Sequence, residues 1–163
     1  MGIKITIIGA GSAVFSINLI KDICINKHFD NSQVTLMDIN EKRLNAIYRL
    51  CKRYIEEMEK DIHIEMTTSR EEALKNADFV LHVALDYGHD RLKQGWEIAK
   101  QHGYRFGGSL HIMHDEAFWV NFYQIRLMES VYLDMQRLCP KAWLLIVSNP
   151  VQAGVTYLTR KYQ

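Results

Sequence analysis

The sequence is short of everything that would staple, anchor or polarise it. It has three cysteines, Cys24, Cys51 and Cys139, an odd number set far apart. With no Cys-x-x-Cys pair and no histidine beside them at ligand spacing, they exclude a disulfide framework and a zinc site of their own. All three are expected to be reduced small hydrophobes in or at the ends of helices. No apolar run approaches the ~20 residues of a membrane span. The apolar start of the chain enters a glycine turn without the small-residue cleavage site of a secretory signal. Neither charge dominates, with 20 Lys and Arg against 19 Asp and Glu, so nothing electrostatic favours nucleic acid or an anionic membrane. The expectation is a cytoplasmic protein with no nucleic-acid partner and no membrane association. Repeats and low-complexity segments are also lacking, and the only two prolines, Pro140 and Pro150, punctuate the last strand.

What the chain does have is concentrated at its start. Lys4-Ile5-Thr6-Ile7-Ile8 is a β-branched apolar run that ends in Gly9-Ala10-Gly11 and turns into a helical pattern. This is how a chain builds a dinucleotide phosphate site: Gly9 allows the tight turn, Gly11 lets the backbone approach a pyrophosphate, and the following helix offers free N–H groups and its positive dipole end. The third glycine of the fingerprint is absent, with Val14 in its place. A second run, Gln33-Val34-Thr35-Leu36-Met37, ends in Asp38, the acid that a ribose 2′-hydroxyl needs after the second strand. Asp38 lies 29 residues after Gly9, beyond the usual ~20, and the polar insertion from Asn26 to Ser32 accounts for the excess. A carboxylate there repels a 2′-phosphate, and no arginine follows before Arg43, so NAD is expected over NADP. The cofactor contacts are assigned to Gly9, Gly11, Ser12, Ala13, Val14, Phe15, Asp38 and Arg43. Replacing Asp38 with alanine is expected to weaken NAD much more than folding.

The rest of the chain reads as alternating strands and helices. Asn40 caps an amphipathic helix from Glu41 to about Lys60, whose apolar residues recur at three- and four-residue intervals from Leu44 to Met58. Ile62–Thr67 is a strand, Ser69 caps a brief helix over Arg70–Lys75, and Ala77–Ala84 is a buried strand. An irregular segment then carries Asp86, His89, Asp90, Arg91, His111, His114 and Asp115, with a short helix over Arg91–His102. Loops after a central parallel strand are where an open α/β sheet binds its ligand. A long helix from about Glu116 to Leu138 stops before Pro140. Trp143–Val147 is a fully apolar strand, Ser148-Asn149-Pro150 ends it, and a last helix spans Val151–Tyr162. The fold class is α/β, a Rossmann-like doubly wound parallel sheet with helices on both faces. Residues 1–163 form one NAD-binding domain, incomplete at its carboxyl end because five strands stand where such a fold has six.

These residues resemble the amino-terminal part of the NAD-dependent glycoside hydrolases of family four, in the branch of the bacterial α-glucosidases and α-galactosidases. The likeness rests on Ile7-Ile8-Gly9-Ala10-Gly11-Ser12-Ala13-Val14-Phe15, on Val34-Thr35-Leu36-Met37-Asp38-Ile39, on Ala77-Asp78-Phe79-Val80, and on Pro140-Lys141-Ala142-Trp143 leading to Ser148-Asn149-Pro150-Val151. That branch also lacks the third glycine. The resemblance implies hydrolysis of O-glycosidic bonds through transient oxidation of the sugar at carbon 3, removal of the carbon 2 proton, elimination of the aglycone, addition of water and return of the hydride. It implies NAD as a catalytic cofactor and a divalent cation, usually Mn2+, as the enediolate's stabiliser. It further implies that Asn149 and Asp115 contact the sugar.

The same resemblance places the metal ligands, the catalytic acid and the base beyond Gln163, so that no catalytic and no metal residue is expected within this chain. On that reading the native product continues past Gln163 with a short apolar strand ending in a cysteine and a domain that completes the sugar site. The isolated chain is then inactive, the partner is a small glycoside, and the full-length form is a homo-oligomer. Two other readings stay open: a lactate or malate dehydrogenase-like oxidoreductase, for which Arg91 offers a catalytic arginine, and an NAD-binding module without catalysis.

Overall fold

The first strand, β1 (Lys4–Ile8), is central because both of its faces are enclosed. Ile5, Ile7 and Ile8 are buried, and Thr6 is buried as well, its hydroxyl donating to the Ala73 carbonyl at 2.7 Å. Strands buried on both faces belong to parallel sheets. β1 pairs in parallel with β2 (Ser32–Met37) on one side and with β4 (Phe79–His82) on the other, and β2 pairs in parallel with β3 (Ile62–Thr67). With β5 (Trp143–Ile146) at the edge, the strand order is β3-β2-β1-β4-β5. The computed structural model describes residues 2–86, 90–104 and 118–162, except the side chains of 91, 92 and 118–120.

This order fixes where a ligand can sit. The chain steps outward from β1 to β2 to β3 and then returns across β1 to β4, so strand order reverses at β1. Right-handed crossovers then put α1 (Ala13–Ile25) and α2 (Glu41–Glu57) on one face and α3 (Arg70–Leu74) on the other. Ile8 is level with Met37 and with His82, so the carboxyl ends of β1, β2 and β4 finish together at the switch point.

The chain divides into two compact units. The first, Met1–Ala84 with Tyr132–Leu145, holds the strands β1 to β4, most of β5 and the helices α1 to α3. On the α2 face its core joins the strand residues Ile7, Val34 and Leu36 to Leu44, Ile47, Cys51 and Ile55 of α2, while Val80, level with Thr6, is buried on the α3 face. Each of the aliphatic side chains among them contributes about 2 kcal/mol by leaving water. Leu50 and Met58 fall off this stripe and stay exposed. All three cysteines are free and buried, as expected, and burial raises each thiol, Cys51 to about 11.

The second unit, Leu85–Val131 with Ile146–Gln163, contains α4 (Asp90–Gln101), the larger part of α5 (Phe118–Leu138) and α6 (Val151–Tyr162). Gly154 of α6 lies hard against the Met128 sulfur, leaving no room for a Cβ. Glu129 Oε1 accepts from Lys161 Nζ at 2.7 Å, Tyr162 at 2.7 Å and Tyr157 at 3.0 Å, tying α6 to α5. Among the described residues no helix is long and apolar enough to cross a membrane.

Several boundaries differ from the sequence reading. The second helix ends at Glu57, not near Lys60, because Met58 is its C-cap and Glu59 turns the chain at φ +51°. β4 is Phe79–His82, shorter than Ala77–Ala84, because Ala77 closes the turn from α3 through its bond to the Leu74 carbonyl. β5 presents Trp143 and Leu145 outward, 72% and 44% exposed, while Leu144 and Ile146 are half-buried.

Candidate functional site

The turn after β1 is built around two glycines, each required for a different reason. Gly9 has φ +93°, and a Cβ on it would lie 2.5 Å from the Ala84 backbone. It therefore needs both the left-handed conformation and the close approach of the chain leaving β4. The Gly9 and Ala10 amides both donate to the Met37 carbonyl at 2.9 Å, which binds the turn to the end of β2.

Gly11 has a reason the sequence did not supply. Its amide donates to Asp38 Oδ2 at 2.8 Å, and a Cβ on it would lie 2.7 Å from that oxygen. Gly11 makes room for a carboxylate as well as for any pyrophosphate. Asp38 Oδ1 accepts from the Asn40 amide at 2.8 Å, so the acid is held from two sides. Each carboxylate oxygen has two acceptor positions, so both keep one for a ligand hydroxyl. This geometry also alters the expectation for Asp38→Ala, because the change orphans two amides and costs folding as well as any ligand.

The three helices after these strands begin differently. Asn40 caps α2 by accepting from the Arg43 amide at 3.0 Å, and Ser69 caps α3 by accepting from the Glu72 amide at 3.3 Å. Both helices carry acids in the first turn. Ser12 stands at the N-cap of α1 with no side-chain cap bond, and the first turn of α1 has no acid. The leading amides of α1 and its dipole are thus left to an anion. Val14, where a third glycine would stand, is 70% exposed and does not pack on the strands. The residue tucked beneath the turn is Ser16, whose hydroxyl donates to the Ala10 carbonyl at 2.8 Å. Phe15 and Ile39 are also exposed, so apolar surface flanks the glycine turn and Asp38. Arg43 is exposed on the first turn of α2.

His82, the last residue of β4, was read from the sequence only as part of an apolar strand. It is fully enclosed, and burial lowers its imidazole to about 4, with the Arg70 charge adding to the effect and a backbone hydrogen bond opposing it. It is neutral at physiological pH.

In the second unit, Asn149 is half-buried and joined to the buried Pro150 by a cis peptide bond, just before α6. The preceding Ser148 is buried, and its hydroxyl accepts from Gln124 Nε2 at 3.1 Å. Gln124 Oε1 accepts from the Asp86 amide at 2.8 Å. Asp115, His89, His111 and His114, all singled out from the sequence, lie outside the described residues, as does the Arg91 side chain. Among the described residues no three His, Cys, Asp or Glu side chains group as a metal ion requires. They make no ligand set for a divalent cation.

A model of the family 4 glycosyl hydrolases matches residues 4–163. The alpha-glucosidase of Erwinia rhapontici is 26% identical over 174 residues, covering 99% of this chain and 36% of that protein. The alpha-galactosidase of Bacillus subtilis (strain 168) is 27% identical over 157 residues, covering 91% of this chain and 34% of that protein. The chain thus spans about a third of the length of the curated relatives it matches. Among solved structures, a 6-phospho-alpha-glucosidase from gut microorganisms in complex with NAD and Mn2+ superposes with a TM-score of 0.84 at 20% identity, over 99% of this chain and 37% of that one. A lactate dehydrogenase from Eimeria maxima with NADH and oxamate superposes at 0.65 and 17% identity, over 98% of this chain and 40% of that one. Both likenesses are likenesses of fold.

Proposed function

Because this chain belongs to family 4 of the glycosyl hydrolases, we propose that it is the cofactor-binding part of an NAD- and divalent-metal-dependent glycosidase, acting on α-glucosides. The observation that carries this reading is Asp38 held between the Gly11 and Asn40 amides beside the uncapped start of α1. Asp38 accepts the hydroxyls of the adenosine ribose, and the leading amides of α1, from Ala13 to Phe15, take the pyrophosphate. Val14, Phe15 and Ile39 offer apolar surface to the adenosine, and Arg43 is the first arginine after Asp38 along the chain. Bound NAD supplies a reversible hydride acceptor for carbon 3 of the sugar, so it is regenerated in each turnover.

Asn149, at the carboxyl end of β5, hydrogen-bonds the sugar, and Asp115 contributes a second contact. The metal ligands, acid and base are assigned to sequence beyond this chain, which by itself does not hydrolyse glycosides. The working enzyme is a cytoplasmic homo-oligomer.

The test is cleavage of a chromogenic α-glucoside, with and without a 6-phosphate, by the full-length gene product. Cleavage is expected to require NAD and manganese and to slow when deuterium replaces hydrogen at carbon 3. Full activity after NAD is stripped would sink the reading, as would glycoside cleavage by residues 1–163 alone.

A further inference from the structure

Gln124 is a polar residue in the wrong place for a surface helix. It is 1% exposed, and it lies in register with Met128, Val131 and Met135, the enclosed stripe of α5. A buried primary amide is costly unless its donors and acceptors are used. Here they are spent on two loops. The Asp86 amide can only donate, so the atom of Gln124 facing it is the oxygen, and this fixes the NH2 group toward Ser148. One side chain therefore binds the loop that leaves β4 and the Ser148-Asn149-Pro150 turn that leaves β5. These are the two connections at the carboxyl ends of neighbouring strands, where an open α/β sheet places its ligand.

We infer that Gln124 is a positioning residue that sets Asn149 for the sugar by fixing Ser148, the residue before it, relative to Asp86. The inference rests on the sugar contact proposed for Asn149. A methionine of similar length keeps the packing of α5 but offers neither bond, which frees the turn without emptying the core. Glutamate retains an acceptor for the Asp86 amide and can accept from the Ser148 hydroxyl, so it restores both links with altered charge. The role differs from a merely structural one because its effect must pass through Asn149.

The experiment is a mutant cycle in the full-length enzyme, with NAD affinity followed alongside turnover. Gln124→Met is expected to lower kcat at least about tenfold, to leave the NAD dissociation constant within about twofold, and to speed hydrogen exchange at the Asp86 amide. Gln124→Glu is expected to recover part of the loss. In an Asn149→Ala background, Gln124→Met is expected to add less than about a twofold further loss, the non-additivity of residues acting as one unit. Should Gln124→Met fail to fold, Ser148→Ala removes the same link at the turn and is expected to show the same pattern with a smaller loss. An unchanged kcat in these variants, or the same factor lost in both backgrounds, overturns the inference. Full kcat in Asn149→Ala alone refutes the sugar contact itself and takes the inference with it.

Discussion

The Gly11 amide and the Asp38 carboxylate meet at 2.8 Å, and no side chain at position 11 could coexist with that meeting, since a Cβ would come within 2.7 Å of the same oxygen. The second glycine of the turn after β1 and the acid that follows β2 are thus one device. Gly11→Ala is expected to push Asp38 aside and weaken NAD at least about tenfold, or 1.4 kcal/mol. Titration calorimetry of the two proteins measures it, and equal affinities would show that the pair does not serve the cofactor.

Asp38→Asn and Asp38→Ala separate the two duties of the acid. The alanine variant leaves the Gly11 and Asn40 amides without their acceptor and is expected to cost about 1–3 kcal/mol of stability in addition to NAD affinity. The asparagine variant keeps an acceptor oxygen, so its stability falls less, while the loss of charge narrows the preference for NAD over NADP. Denaturant titration and cofactor binding report the two effects separately. Equal binding of both cofactors by the unaltered protein would contradict the role given to Asp38.

At Gly9 the expected loss is in folding. Gly9→Ala must hold φ near +93° and still fit 2.5 Å from the Ala84 backbone. A cost of at least about 2 kcal/mol is expected, measurable by urea unfolding, and a variant as stable as the parent would mean that the turn relaxes freely.

Two groups make stability fall with pH, in adjacent windows. His82 titrates near 6.5 when unfolded and at about 4 when folded, so the unfolded chain binds the extra proton between those values. Its contribution is complete above pH 6.5 and is lost as pH drops toward 4, by about 3 kcal/mol in all. Glu129 is held at about 2, first by Lys161 and then by Tyr162, so its contribution is present above pH 4.5 and disappears as pH falls toward 2. His82→Gln is expected to flatten the first window and Glu129→Gln the second. Unfolding free energies measured from pH 7 to pH 3 test both, and an unaltered upper slope in His82→Gln would refute its assignment.

The glycine turn after β1 was legible because its signals are local. Gly9, Gly11 and Asp38 are typed by backbone demands and by strand ends, and both can be read within a few residues. The reason for Gly11 was not, because its neighbour in space is Asp38, just past the end of the next strand. Gln124 escaped notice since a glutamine in a long helix ordinarily faces water. The available signal was its spacing of four, seven and eleven residues from Met128, Val131 and Met135, which places it on the buried stripe. His82 was hidden for the opposite reason, a titratable side chain absorbed into an apolar run. Strand β4 was overestimated because Ala77 and Ala84 are compatible with a strand but serve the turns at either side.

The bare first turn of α1 makes that helix an indicator of occupancy. With Ser12 offering no side-chain bond and no acid in its own first turn, its leading amides exchange with water until an anion takes them, whereas the starts of α2 and α3 are already capped by Asn40 and Ser69. Saturation with a dinucleotide would therefore be written unevenly in the hydrogen-exchange record. Protection would rise at Ala13, Val14 and Phe15 and stay flat at the starts of the other two helices, so the position of the phosphates could be read from the free and bound protein in solution.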